Sequence, residues 1–403
     1  MERRSHASQD AVRRHNLGSL LRLVHVRGST SRSELTALTG LNRSTVKALT
    51  ADLVAAGLLC ESAPVGRGGA GRPSIQVEPE SDRLFVLALD LGVEHLRAVR
   101  VGLGGVVLDR RELHQAHGDY DVSRTLRRVQ RLARDLLEGA PDDAVCVGIG
   151  VGICGVVSAD EGLVRFAPNL GWVDVPLGRL LAAKLGTSLR ISIGNDGDLG
   201  AMAEHLRGAA VGLSDVVYIS GEVGIGGGII LGGQPMTGSG GFGGEIGHMS
   251  VNPQGRTCRC GRRGCWETEI GDEAVLLTTG APPEAELADV LAAYAAGERW
   301  PQLGMRRVGR WLGVGVVNLV NIFNPQAVIF GGVSRHLFQA TEPMVRAALE
   351  GALAGPRDQV QLRLPALGDD SIAIGAAELA FAPLLEDPLG TLAGPPVPLR
   401  AHA

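Results

Sequence analysis

The chain has 403 residues, 45% of them apolar, and a formal net charge of −4. That is enough for real cores in about two to three domains. No apolar run reaches membrane-spanning length, and the charged start MERRSHASQDAVRRHN contains no signal-peptide core, so a cytoplasmic protein without a membrane partner is expected.

The charge is unevenly spread. Residues 1–80 carry eleven Lys or Arg against seven Asp or Glu. A basic front on an acidic body assigns any nucleic-acid contact to the front. Leu17, Leu20, Leu21 and Val24 form one apolar helical stripe, which Gly28 ends. Ser31 and Glu34 have capping-box spacing and predict a short second helix burying Leu35 and Leu38. Thr39-Gly40-Leu41-Asn42 predicts a tight turn, with Asn42 capping a third helix over 43–56 that buries Val46, Leu49 and Leu53. The exposed start of that helix offers Arg43, Ser44, Thr45 and Lys47, the arrangement with which a helix-turn-helix reaches base edges and phosphates. A glycine-rich loop with Arg67 and Arg72 follows between two strand-like stretches and reads as a basic wing. A helical hairpin for protein contacts is the plainer alternative. Aromatics are absent from this face, which disfavours stacking on single strands.

From residue 84 the pattern becomes α/β. LFVLALDLG, HLRAVRVG and VVLDRREL predict three strands turning at Gly104-Gly105, followed by a helix over 122–137 and the strand AVCVGIGVGICG. A helix over 177–185 and the strand LRISIGND close this half. Past residue 213 the scheme restarts with DVVYISGEVGIGGGIILGGQPM, and a helix over 305–322, the strand AVIFGG and another helix complete it. Two similar halves imply a cleft between them. The expected division is 1–80, 81–212, 213–384 and a flexible Pro- and Gly-rich tail at 385–403.

Inside the second half, GEIGHMSVNPQGRTCRCGRRGCWE places His248, Cys258, Cys260 and Cys265 in one loop, 244–267. One imidazole and three thiolates complete a tetrahedral zinc shell with no position for water, which is structural zinc chemistry. Disulfides or chance clustering are the alternatives. Arg259, Arg262 and Arg263 favour thiolates, and nothing marks an oxidising compartment. Glu245 and Glu267, which a purely structural loop does not require, suggest a polar ligand beside the metal.

ALDLG at 88–92, APNLGW at 167–172, GNDGDLGAMAEH at 194–205, VGIGGGII at 223–230, GEIGHMSV at 244–251, CRCGRRGCWE at 258–267 and NPQAVIFGG at 324–332 stand in one order. Together they resemble the ROK family of bacterial sugar kinases and repressors. The resemblance implies an α/β body of two RNase H-like halves, the sugar kinase, actin and Hsp70 superfamily fold, with an inserted zinc loop. With a winged helix-turn-helix in front, the chain is similar to the regulator branch, whose members repress sugar genes as oligomers on double-stranded operator DNA and answer to a sugar. It further implies a homodimer or homotetramer. Asn169, Asn195, Asp196, Glu245, His248 and Glu267 are the implied sugar contacts, Asp196 standing where kinases keep their general base. A helix N-cap is the plainer role for Asn195 and Asp196. Kinases of the family resemble Asp-x-Gly-Gly-Thr and Gly-Thr-Gly at the phosphate loops. Here Asp90-Leu91-Gly92-Val93-Glu94 and Glu222-Val223-Gly224 stand instead. A carboxylate about 4 Å from a phosphate oxygen costs on the order of 4 kcal/mol. The expectation is a sugar-responsive regulator without catalysis, against the alternative of an ATP-dependent sugar kinase with an accessory DNA-binding domain.

Overall fold

The computed structural model describes residues 2–63, 74–115, 118 and 120–393, with only the backbone described for residues 2–8. The front comprises α1 (Glu2–Arg27), β1 (Thr30–Ser31), α2 (Arg32–Thr39), α3 (Arg43–Ala55), β2 (Leu59–Ser62) and β3 (Gln76–Pro79). Its helix boundaries follow the caps in the sequence. The Ser31 hydroxyl accepts from the Glu34 amide, and Glu34 returns a bond to the Ser31 amide. Gly40 takes the left-handed conformation, and the Asn42 side chain accepts from the Thr45 amide. The three strands form a small antiparallel sheet in the order β1-β3-β2. Arg67 and Arg72, expected in the wing, lie outside the described residues.

The first half of the body comprises β4 (Leu84–Leu91), β5 (His95–Gly102), β6 (Val106–His114), α4 (Val122–Glu138), β7 (Val145–Ile153), β8 (Val156–Ser158), β9 (Leu163–Ala167), β10 (Trp172–Val175), α5 (Leu177–Leu185), β11 (Ile191–Asn195) and α6 (Asp196–Arg207). Its sheet runs β11-β7-β4-β5-β6, and β8, β9 and β10 make a small sheet of their own. Every residue of β4 is buried, as its unbroken apolar run requires of a strand covered on both faces.

The second half holds β12 (Val216–Gly221), β13 (Ile225–Leu231), β14 (Gln234–Pro235), α7 (Glu267–Ile270), α8 (Asp272–Thr279), α9 (Leu287–Ala295), α10 (Arg299–Phe323), β15 (Ala327–Phe330), α11 (Val333–Leu349), α12 (Ala354–Gln359), β16 (Gln361–Arg363), α13 (Ser371–Glu386) and α14 (Pro388–Leu392). Its sheet runs β14-β13-β12-β15-β16. Both five-stranded sheets thus pair an antiparallel hairpin with parallel strands.

The expected boundaries need two corrections. Although α13 lies late in the chain, it packs on β4 and β7 of the first sheet and on α6. Leu84, Val86 and Ala88 share one apolar cluster with Ala373, Ala376, Ala377 and Phe381. The same cluster takes in Leu17, Leu20, Leu21 and Val24 of α1, so front and body share a core. Nor are residues 385–392 a loose tail. Leu385 is buried in the last turn of α13, and α14 follows with its amide of Gly390 bonded to Asp387. Pro383 and Pro388, which suggest a chain break, sit within α13 and at the first turn of α14. A proline ring fits at a helix start, and burial of Leu384 and Leu385 outweighs its cost within a turn.

Helices α6 and α13 meet backbone to backbone. A methyl group on Gly375 would collide with the Leu199 carbonyl, and one on Gly150 with the Ala376 carbonyl. Gly375→Ala is therefore expected to destabilise the protein by roughly 1–3 kcal/mol or more, read by thermal or urea unfolding, because neither colliding atom is a flexible side chain. Gly355→Ala, where a methyl meets nothing within 4 Å, serves as the control.

Candidate functional site

The cleft between the halves is floored by the start of α6. The Asn195 side-chain oxygen accepts from the amides of Gly197 and Asp198 at 2.8 and 3.2 Å, and its NH2 donates to the Gly155 carbonyl at 3.0 Å. Asn195 is thus an N-cap with one N–H left to offer. Asp196 lines the cleft beside it. Burial, then the Glu222 and Asp90 carboxylates, push its pKa up to about 7 against the pull of the Gly197 amide. Asp198, which the sequence reading passed over, is likewise raised to about 7 by burial and by Glu245. Spacing could have flagged it, because Asp196 and Asp198 both lie in the first turn of α6.

Across the cleft, the loop after β14 brings the remaining residues together. His248 places Nε2 3.9 Å from Glu245 and Nδ1 3.5 Å from Glu267. The Cys258 thiol donates to the same Glu267 oxygen at 2.8 Å. Burial raises the pKa of Glu245, His248 lowers it and Glu267 raises it again. Asn169, at the β9–β10 turn, reaches the rim of this group. Its side-chain oxygen accepts from Arg259 at 2.8 Å, and a methyl on Gly224 would touch both Asn169 and Glu267. Of the expected sugar contacts, Glu245 and Glu267 flank His248, Asn169 and Glu267 line one pocket, Asp196 lines another with Asp90, Glu94 and Glu222, and Asn195 is largely committed to capping.

His248, Cys258, Cys260 and Cys265 each point one ligand atom at a common centre, all within 4.8 Å of one another. The loop is held from below by Trp266, which is fully buried and donates its indole N–H to the Trp311 carbonyl at 2.8 Å. Gly315 on α10 makes room for that indole, where any side chain would collide with it. A shell of three sulfurs and one imidazole nitrogen at this spacing fits a tetrahedral metal, with sulfurs about 2.3 Å from zinc. Nδ1 of His248 faces the sulfurs, leaving Nε2 toward the cleft.

The second surprise is Glu222. Rather than staying in its own loop, its carboxylate crosses to the β4–β5 turn and accepts from the Val93 amide at 2.9 Å. It also lies 3.0 Å from Nδ1 of His95, whose Nε2 is 2.9 Å from Asp90. Burial alone would lower the His95 pKa, but the flanking Asp90 and Glu222 carboxylates push it up to about 10. Arg97 joins Asp90 at 3.4 Å and donates to the Asp369 carbonyl at 2.7 Å. An ion-paired chain therefore lines this end of the cleft, and no local motif announces it. Glu94 lines the same cavity.

In the front, Arg43, Ser44 and Lys47 stand exposed at the start of α3, with Thr45 half-buried beside them. Asn42 ties the Ser44 hydroxyl and the Thr45 amide, fixing that turn.

A family model described as the ROK family matches residues 86–382. The xylose repressor of Caldicellulosiruptor bescii is 28% identical over 375 residues, covering 89% of this chain and 93% of the repressor. The crystal structure of a ROK family transcriptional regulator, a homolog of the E. coli MLC protein, superposes with a TM-score of 0.78 at 25% identity, covering 95% of this chain and all of that one. A ROK family glucokinase from Streptomyces griseus, solved with glucose and AMPPNP, gives 0.64 at 27% identity but covers only 73% of this chain and 99% of its own.

The cleft carboxyls set a pH dependence. Asp196 has a folded pKa near 7 against an ordinary 3.8, so between those values the folded state holds a proton that the unfolded state has lost. Stability from this group is complete below about pH 4 and declines as pH rises through 7. Asp196→Asn, measured without sugar, is expected to stabilise the protein near pH 8 by on the order of 1–3 kcal/mol and to do little near pH 4. Urea unfolding at the two pH values reads the difference.

Proposed function

The chain belongs to the ROK family, and we propose that it is a sugar-responsive DNA-binding transcriptional regulator whose kinase-like body binds sugar without phosphorylating it. The observation that carries the reading is the position of Glu222. Glycine-rich phosphate loops work by offering backbone N–H groups to an anion. Here the Val93 N–H is already taken by a carboxylate that is itself held by His95. An incoming nucleotide phosphate would have to displace that carboxylate and then lie against Glu94 and Glu222, at a cost of about 4 kcal/mol per charge contact near 4 Å. Asp196 would remain as a polar contact for a sugar hydroxyl.

In this reading the front is a winged helix-turn-helix. Its α3 enters the major groove, Thr45 and Lys47 meet base edges, and Arg43 and Ser44 hold phosphate. Arg67 and Arg72 belong to its wing. The relatives that share the chain nearly end to end are named as repressors and a transcriptional regulator, while the glucokinase structure covers 73% of this chain. The effector is a small sugar, with xylose the first candidate from the repressors' names. It would be held by Asp196, Glu245, His248, Glu267 and Asn169, with the spare N–H of Asn195 and the Asp198 carboxyl completing the pairing of ring hydroxyls. Unpaired buried hydroxyls cost about 1–3 kcal/mol each.

Zinc would sit among His248, Cys258, Cys260 and Cys265, supplying cross-links rather than reactivity. By holding Nδ1 it would fix the imidazole so that Nε2 faces the sugar. Operator recognition would take a homodimer or homotetramer on an inverted repeat.

Three measurements test this. Lys47→Ala is expected to weaken binding to a DNA duplex selected by the full chain from random sequence by about 1–3 kcal/mol, leaving sugar affinity unchanged. No sugar that binds should be phosphorylated with ATP; steady turnover abolished by Asp196→Asn would establish the kinase instead. For the metal, one zinc per chain is expected by elemental analysis, and Cys260→Ser should lower both zinc retention and sugar affinity, the latter by roughly 10- to 100-fold. Zinc-free protein from chelator-free purification would contradict it.

A further inference from the structure

The sugar cleft and the front are joined by one helix. The first turn of α6 floors the cleft with Asp196 and Asp198, and its last residue is Arg207. Twelve residues at about 1.5 Å each separate the two ends by roughly 18 Å. Arg207 donates to the His25 carbonyl at 3.1 Å and to the Gly104 carbonyl at 2.7 Å, and it pairs with Glu378 at 2.5 Å. The His25 ring lies 3.0 Å from Glu378 through Nε2 and accepts the Gly104 amide at Nδ1, 2.9 Å away. His25 and Glu378 are both buried. The His25 carbonyl belongs to the last turn of α1, where a cation is favoured by the helix dipole.

The rest of α6 is built to move as one body. Its glycines bring it into backbone contact with its neighbours: Gly197 rests on Gly227 of β13, and Gly200 on the Tyr218 ring of β12. Midway, the buried Glu204 carboxylate accepts from the Ala366 and Leu367 amides at 3.0 Å each and from the Ser371 hydroxyl at 2.8 Å. Helix and loop are thereby tied together. Such contacts admit few intermediate positions, so a displacement at one end is delivered to the other.

We propose that Arg207 is the positioning residue through which α6 transmits sugar binding to α1, and so to the DNA-reading helices packed on it. This rests on the regulatory reading above. Arg207 touches neither the sugar residues nor the exposed start of α3. Its task is to hold α1 in a register set by the cleft.

The test compares the full chain with Arg207→Lys, which keeps a charge beside Glu378 but lacks the planar fork that meets Glu378 through Nε, both carbonyls through Nη1 and the His25 ring through Nη2. DNA affinity is measured with and without D-xylose or D-glucose, whichever binds, using the selected duplex. In the unmodified chain a typical coupling changes DNA affinity by about 5- to 150-fold. Arg207→Lys is expected to cut that factor by at least about threefold while sugar affinity, and DNA affinity without sugar, stay within about threefold of the parent. Equal weakening of DNA binding with and without sugar, leaving the factor intact, would overturn the proposal and reduce Arg207 to scaffold. Hydrogen exchange on the unmodified chain tests it without a variant: sugar should alter exchange of the Gly104 and Gly28 amides. Unchanged exchange there while sugar shifts DNA affinity would overturn it as well. No coupling in the unmodified chain would instead refute the regulatory reading, and the proposal with it.

Discussion

Helices α6 and α13 lie against each other and between the two five-stranded sheets with almost no side chain separating them, and the rest of the molecule is arranged around that contact. Gly375 meets the Leu199 carbonyl, Gly150 the Ala376 carbonyl, and Gly197 the backbone of Gly227. Spacing this tight fixes where the cleft opens, because Asp196 begins α6 at its floor. It also fixes where the front docks, because α13 carries the apolar face on which Leu17, Leu21 and Val24 of α1 rest. Burial of that face is worth roughly 1.5–3 kcal/mol per large side chain, so the front is seated on the body rather than tethered to it.

The cleft itself is over-supplied with carboxyl groups. Asp90, Asp196, Asp198, Glu222, Glu245 and Glu267 come from both halves, and burial, with neighbouring carboxylates adding to it, raises the pKa values of Asp196 and Asp198 to about 7. Anionic phosphate is poorly suited to such a site, whereas sugar hydroxyls can donate to each oxygen. His95 and Arg97 offset part of the charge by bonding Asp90, Glu222 and Glu112 within the protein. These two cations are held by carboxylates of the protein itself.

Features governed by neighbours in sequence were legible before the structure. The Ser31–Glu34 capping box, the Gly40 turn, the Asn42 cap and the cysteine spacing each depend on a few consecutive residues, and each stands where its spacing places it. What escaped depends on long-range geometry. Nothing local tells that Glu222 bonds an amide 129 residues earlier, or that α13 belongs with the first sheet. The N-cap role that the sequence offers for Asn195 is present, its oxygen accepting from the Gly197 and Asp198 amides. Over residues 385–392 composition suggests a loose chain, but burial of Leu384 and Leu385 in the cluster with α1 overrides that propensity.

Regulation of this kind requires one coupling, between the cleft and the DNA-reading front. Its most direct measurement is reciprocal: affinity for the selected DNA duplex with and without sugar, and affinity for the sugar with and without the duplex. Thermodynamic linkage requires both arms to change by the same factor, in the range of about 5- to 150-fold for a typical switch. Equal factors above about fivefold are the predicted result. Affinities in both arms that ignore the second ligand would contradict it, leaving a sugar site and a DNA site that share a chain without communicating.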